Sequence, residues 1–406
     1  MFKKKLSISE RGEKAPASPI RKLVPFSDQA KQKGIKVYHL NIGQPDFHIP
    51  PEIQKELLGQ SANLKILSYA HSQGEKTLIE AFVKYYADCE IDIKSEDVLI
   101  ASGGSEAIIL AMAVVLDPKD NMIVFEPFYA NYLGFGSMLE TEIIPVKLDP
   151  NKGYHLPSES EIAAKINKRT KAIFFTNPNN PTGTVFTKKE MEIILKIARE
   201  HNLFIISDET YRGICFDGVK SYSMLEIAQE IDRERIIVVD SLSKRMNITG
   251  ARIGVVISKN KEVMSGVLKY AQARLSVATL EQLMVVPMLK NCIPYVEDLA
   301  KHYKNRRDVF LKELEKGLEI KIHYPEGAFY TMLKLPVKSS EDFCKWLLTD
   351  FSYKNSTVML APGSGFYATK GEGSNEARVA FVLNEEELKK AAEVLIHGIK
   401  EYQKLG

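Results

Sequence analysis

The stretch RIIVVDSLSK, residues 235–244, runs an unbroken apolar segment into an aspartate, two serines and a lysine. A continuous apolar run of this length is the pattern of a strand covered on both faces. The lysine falls just past the strand's end, bracketed by hydroxyls, and Arg252 follows it in ITGARIG (248–254).

The pattern recurs along the chain. DVLIAS (97–102), NMIVFE (121–126), KAIFFT (171–176) and LFIISD (203–208) are further strand candidates. Helical stretches lie between them: AIILAMAVVL (107–116) reads as a buried helix, and TKKEMEIILKIAREHN (187–202) repeats apolar positions at helical spacing behind Thr187 as N-cap. Strand–helix alternation predicts an α/β domain with a mostly parallel sheet covered by helices. Beyond residue 295 strands become fewer and helices more polar. EDLAKHYKNRRDVFLKELEKG (297–317) is a long charged helix, GAFYTMLKL (327–335) a strand, and NEEELKKAAEVLIHGIKEYQKL (384–405) a last helix capped at Asn384. A chain of 406 residues is long for one core. The expected division is a large domain over 46–294 and a smaller α+β domain of 1–45 with 295–406.

Composition removes several classes. The chain is 45% apolar and 26% charged, with net charge +3, so nothing suggests a nucleic-acid partner. The longest apolar run is too short to span a bilayer, and no apolar stretch of a secretory signal follows the first basic residues. Four scattered cysteines without a CxxC pair suit reduced thiols in the cytoplasm. No HExxH occurs among the histidines, so no metal is expected. GFGSML (134–139) lacks the third glycine of a dinucleotide fingerprint, and no phosphate-binding GxxxxGK[ST] is present.

Chemistry collects at the strand ends, where open α/β sheets bind ligands. DVLIA leads to Ser102, Gly103, Gly104, Ser105 and Glu106; KAIFF leads to TNPNNPTG (176–183); LFIIS leads to Asp208, Glu209, Thr210 and Tyr211; RIIVVD leads to Ser241, Ser243 and Lys244. The glycine turn opening a helix is an anion site or a plain strand–helix turn, and Arg252, Ser241 and Ser243 would complete a phosphate cradle. Asp208, at the end of an apolar strand, needs several donors or a cation, the cation being a structural arginine or a protonated ring nitrogen. Lys244 is a snorkelling surface lysine or, desolvated beside cations, a nucleophile. Asn180 and Tyr211 are the residues of a turn or the holders of an aromatic oxygen. Together these groups match a phosphate, an aldehyde, a ring nitrogen and a ring oxygen, all of which pyridoxal 5′-phosphate carries.

Through NIGQPDF (41–47), YAHSQG (69–74), GGSEA, NPNNPTG, SDETY, SLSK…GARIG, APGSGF (361–366) and ARVAFV (377–382), the sequence resembles the class I/II aminotransferases, the fold-type-I pyridoxal-phosphate enzymes, and most of all their aspartate aminotransferase-like subgroup. The resemblance implies that Lys244 binds the cofactor's aldehyde and then shuttles the proton. It implies that Asp208 pairs with the ring nitrogen and that Tyr211 and Asn180 hold the ring oxygen. Gly104, Ser105, Glu106, Ser241, Ser243 and Arg252 would form the phosphate site, and Tyr129 would stack on the ring where many relatives have tryptophan. Tyr69 would reach a neighbouring subunit's phosphate, so a homodimer is implied. Arg378, with the backbone at Gly43, would hold the substrate carboxylate. Arg274 is a candidate for a second, side-chain carboxylate or else an ion-paired surface arginine, and Ser18 is a further candidate for side-chain contact. The implied reaction passes an amino group from an L-amino acid, aspartate by preference, to a 2-oxo acid such as 2-oxoglutarate. The rivals are a β-eliminating carbon–sulfur lyase on the same fold and a ligand-sensing regulator.

Overall fold

The computed structural model describes residues 6–49, 51, 54–56, 59, 65–320 and 322–405. Strand β1 (Lys36–His39) precedes a seven-stranded sheet of β2 (Val98–Ala101), β3 (Asn121–Glu126), β4 (Glu142–Lys147), β5 (Thr170–Thr176), β6 (Phe204–Asp208), β7 (Ile236–Ser241) and β8 (Gly254–Ile257), and then come β9 (Tyr330–Lys334), β10 (Ser356–Met359), β11 (Ala361–Pro362) and β12 (Glu376–Ala380). The sheet order is β2-β8-β7-β6-β5-β3-β4, with β8 antiparallel to both neighbours and the rest parallel.

All residues of β2, β3 and β7 are buried, which is why their sequences are continuous apolar runs. Each of the strands expected at 97–102, 121–126, 171–176, 203–208 and 235–240 is present within a residue or so of its place. Two more belong to the sheet. Strand β4, EIIPVK, carries Pro145 and sits at the sheet edge, where a missing N–H is tolerated. Strand β8, GVVI, is only four residues long and follows directly on the GARI turn.

The helix Gly104–Val115 covers one face and is strongly apolar, as its sequence requires. On the other face lies Lys188–Glu200, opened by a reciprocal cap: Thr187 Oγ1 accepts from Glu190 N at 3.2 Å, and Glu190 Oε2 accepts from Thr187 N at 2.8 Å. Its Met191, Ile194, Leu195, Ile197 and Ala198 form the buried stripe.

The C-terminal part is built differently. Strands β11, β12 and β9 make a small antiparallel sheet, and the helix Cys292–Leu318 packs along Glu385–Tyr402. Asn384 caps that last helix by accepting from Glu387 N at 2.9 Å. The N-terminal segment joins this part, because β1 pairs in parallel with β10 and the helix Val24–Gln32 packs on Ser340–Thr349. Among the described residues no helix is long and apolar enough to cross a membrane, and no group of His, Cys, Asp and Glu is placed to hold a metal ion.

Candidate active site

The carboxyl ends of β5, β6 and β7 open into a cavity of about 790 Å³. The parallel register sets Thr176 beside Asp208, and Ser241 ends β7, the strand next to β6. Glycines let the backbones close around this point. Gly254 pairs with both Ser241 and Ala101, and a Cβ there would lie 2.4 Å from the Gly103 carbonyl carbon. Gly103, at φ +81°, turns the chain into the helix Gly104–Val115. The first N–H groups of that helix, Ser105, Ser241, Ser243 and Arg252 border the same end of the cavity, a fitting place for an anion. Ser241 Oγ donates to Ser243 Oγ at 3.1 Å, while Arg252 donates to the Thr249 and Ser102 carbonyls at 3.2 and 3.4 Å.

Asp208 is buried. Its Oδ1 accepts from Thr210 N at 3.1 Å and Thr210 Oγ1 at 2.6 Å, and its Oδ2 from Tyr132 Oη at 2.8 Å. Among the described residues it has no ion-pair partner, so the structural arginine that a buried carboxylate would otherwise need is absent. Desolvation pushes its pKa up, and the Thr210 and Tyr132 donors pull it back.

Lys244 stands on the short helix Leu242–Arg245 and donates from Nζ to the Gly43 carbonyl oxygen at 2.5 Å. Desolvation, followed by the charges of Arg378 and Arg252, pushes its amine down to about 8. Gly43 has to be glycine, since a Cβ there would lie 1.8 Å from the Tyr330 hydroxyl.

Arg378, on β12, is fully buried without a carboxylate among the described residues. It donates to Asn180 Oδ1 at 2.9 Å and to the Asn41 carbonyl at 2.6 Å, its Nε has no partner, and its guanidinium lies 4.4 Å from the Tyr330 ring. Burial lowers its pKa. Tyr211 and Tyr330 share a hydrogen bond of 3.0 Å, and Tyr129 lines the wall with its hydroxyl accepting from Asn131 Nδ2 at 2.7 Å.

Three expected residues lie elsewhere. Glu106 turns its carboxylate away from the anion end: Oε2 accepts from Ser102 N at 2.6 Å and Oε1 pairs with Arg274 Nε at 3.0 Å. That pair also takes Arg274 out of the cavity lining, with its second donor on the Ile100 carbonyl at 2.7 Å. Within this chain Arg274 is thus ion-paired with Glu106. Tyr69 is 81% exposed and outside the cavity lining. Ser18, by contrast, lines the cavity. So does Arg21, which has no ion pair among the described residues. Arg21, Tyr132 and Tyr330 had no signal in the sequence beyond their residue types, whereas Thr210 already stood in the polar cluster after LFIIS.

A buried carboxylate without a cation, a buried guanidinium without an anion and a desolvated amine therefore face one cavity. Such charges are costly unless a ligand completes them. Pyridoxal phosphate fits this donor set, with an acid for its ring nitrogen, an amine for its aldehyde and a helix start with hydroxyls for its phosphate.

Comparison with known proteins agrees with this geometry. The family model for aminotransferase class I and II matches residues 35–395. The chain is 31% identical to an aspartate aminotransferase of Pyrococcus horikoshii over 95% of both chains. An alanine aminotransferase from Pyrococcus furiosus superposes with a TM-score of 0.88 at 30% identity, covering 97% of this chain and 100% of that one. The aspartate aminotransferase from Thermus thermophilus with maleate gives 0.87 at 25% identity over the same shares. The unpaired charges of the cavity, the fold that brings them together and these likenesses lead to one assignment: the chain belongs to the class I and II aminotransferases and is a pyridoxal-phosphate-dependent transaminase of fold type I.

Proposed function

We propose that this transaminase moves the amino group of an acidic L-amino acid, aspartate first, to a 2-oxo acid such as 2-oxoglutarate, in two half-reactions on one site. The observation that carries the substrate class is the presence of two cations on the cavity besides Lys244 and Arg252. Arg378 would take the α-carboxylate, with Asn180 and the Gly43 backbone beside it, and Arg21 would take the side-chain carboxylate. Maleate, a dicarboxylate, in the Thermus thermophilus relative is consistent with this assignment.

Bound at this site, pyridoxal phosphate supplies a ring able to accept the electrons left when the substrate's Cα loses its proton. This chain's residues do the rest. Lys244 Nζ, held near neutrality by its surroundings, holds the cofactor and then takes and returns the Cα proton. Asp208 would keep the ring nitrogen protonated, Tyr211 and Asn180 would hold the ring oxygen, and Gly104, Ser105, Ser241, Ser243 and Arg252 would hold the phosphate. Tyr129, on the cavity wall, would cover the ring. We further propose a cytoplasmic homodimer in which Tyr69, with its exposed neighbours Ile66 and Leu67, meets the second subunit, and lobes divided at 46–294 against 1–45 and 295–406.

The test mixes loaded protein with single amino acids while the bound cofactor's visible absorbance is followed. The expected outcome is loss of the band with aspartate and glutamate in the wild type and none in Lys244→Ala, whose turnover falls by at least ~10⁴-fold. Conversion only with neutral amino acids would overturn the acidic-substrate reading.

A further inference from the structure

Lys244 rides on a single helical turn, Leu242–Arg245, too short to hold its own shape. The turn is closed from both ends by a buried ion pair. Asp240, one residue before the Ser241 cap, pairs with Arg245, the last residue of the turn, and neither side chain is exposed. Asp240 Oδ1 also accepts from Ser241 N at 2.6 Å, and Oδ2 accepts from Tyr86 Oη at 3.0 Å. The Arg245 guanidinium lies 4.8 Å from the Tyr85 ring. Both tyrosines come from the helix Lys76–Asp88, so a distant element grips the closure.

A buried pair of this kind adds little net stability over apolar residues of the same volume. Here two of the Arg245 nitrogens, Nε and Nη1, even lack hydrogen-bond partners. Stability alone therefore does not account for it. Neither Asp240 nor Arg245 lines the cavity, whereas Ser241, Ser243 and Lys244, between them in sequence, all do.

We propose that the Asp240–Arg245 pair is a positioning clamp that sets the height and direction of Lys244 in the cavity, with Tyr85 and Tyr86 anchoring it to the neighbouring helix. The clamp rests on Lys244 being the cofactor-bearing lysine. It acts through the backbone of the turn, since the charges that face Lys244 directly are Arg378 and Arg252, with Asp208 across the cavity. On its other side the pair is faced by Arg212, which donates to Tyr85 Oη at 3.2 Å, by Glu209 beyond it, and by the Cys292 thiol.

The experiment titrates the visible absorbance of the cofactor-loaded protein with pH, alongside kcat and KM, in the wild type, Arg245→Met, Arg245→Lys and the double variant Asp240→Asn/Arg245→Met. The expected result for Arg245→Met is a midpoint moved by about one pH unit, a ~10-fold change in proton affinity. Its kcat should fall ~10-fold or more while KM stays within ~3-fold, the signature of a misplaced reacting group. Arg245→Lys should recover part of both. Arg245→Met leaves Asp240 buried and unpaired and can fail to fold. The double variant removes both charges and decides the matter in that case. A midpoint within ~0.2 units of the wild type in the folded variants, against a clamp effect near one unit, would overturn the proposal. A band that still titrates in Lys244→Ala would instead overturn the reading of Lys244, and the clamp with it.

Discussion

Two groups of buried charges lie within a few residues of each other and are built on opposite rules. In the first, Asp240 and Arg245 face each other, Arg212 lies 3.4 Å from Glu209, and Tyr85 and Tyr86 fill the space between. In the second, Asp208 and Arg378 are as deeply placed and Lys244 is partly buried, yet among the described residues Asp208 has only neutral donors and Arg378 only neutral acceptors. A buried charge that the protein itself neutralises belongs to the scaffold. One left open into a cavity marks what the missing partner has to bring: a cation opposite Asp208, a carboxylate opposite Arg378.

The same chemical change in the two groups should have opposite effects. Asp240→Asn strands Arg245 without its counter-charge and is expected to cost about 3–5 kcal/mol of folding stability. Asp208→Asn removes an uncompensated carboxylate, keeps a carbonyl for Thr210, and should stabilise the cofactor-free protein by up to about 2 kcal/mol. Its kcat, however, should fall ~10²-fold in the loaded enzyme, the value of one charge-assisted contact to the ring. Denaturant unfolding and steady-state rates on both variants check this. Equal destabilisation by the two substitutions would erase the distinction between the groups.

A smaller effect sharpens the open group. Arg21→Met should raise KM for aspartate and 2-oxoglutarate ~10-fold, about 1.4 kcal/mol for a partly solvated charge contact, and leave neutral amino acids unchanged. Equal losses on acidic and neutral substrates would remove Arg21 from the recognition of side chains.

How far the sequence reveals each group depends on distance along the chain. Asp208, Lys244, Ser241 and Asn180 sit at the ends of apolar runs, and the parallel sheet brings such ends together whatever else the chain does, so strand ends alone locate them. Arg21 enters the cavity only because its segment is tied down through the pairing of β1 with β10, some 320 residues away (Lys36 opposite Ser356). Tyr330 depends on the register of β9 with β12, which no local pattern reveals. Arg274 is hard to read for the converse reason. Next to a helix end it looks free, but the turn that sets Glu106 at the start of the helix Gly104–Val115 delivers its partner from 168 positions earlier. The edge strand β4 hides behind Pro145, and β8 is too short to stand out from the loop before it.

The last contrast concerns pH. Among the described residues Lys244 has no ion-pair partner, and its amine, ordinarily at 10.5, is pushed to about 8 by desolvation and then by Arg378 and Arg252. Between those values the unfolded chain holds a proton that the folded one does not, so this group makes folding more favourable as pH rises from about 8 to 10.5. His155 is the paired counterpart. Hydrogen bonds to Glu190, at 3.0 Å, and then to Glu326 raise it from 6.5 to about 10. Its contribution is complete below pH 6.5 and is lost as pH climbs through about 10. The two slopes oppose each other where their windows overlap, from about pH 8 to about 10, so the wild type alone is uninformative there. Subtracting Lys244→Met from the wild type cancels His155. What remains should be a deficit of roughly 1–3 kcal/mol at pH 7 that vanishes toward pH 10.5. Unfolding of the cofactor-free proteins at several pH values measures it. A difference that does not change with pH would mean that the amine titrates as an ordinary lysine, and Lys244 would then belong with the exposed charges rather than with the open group.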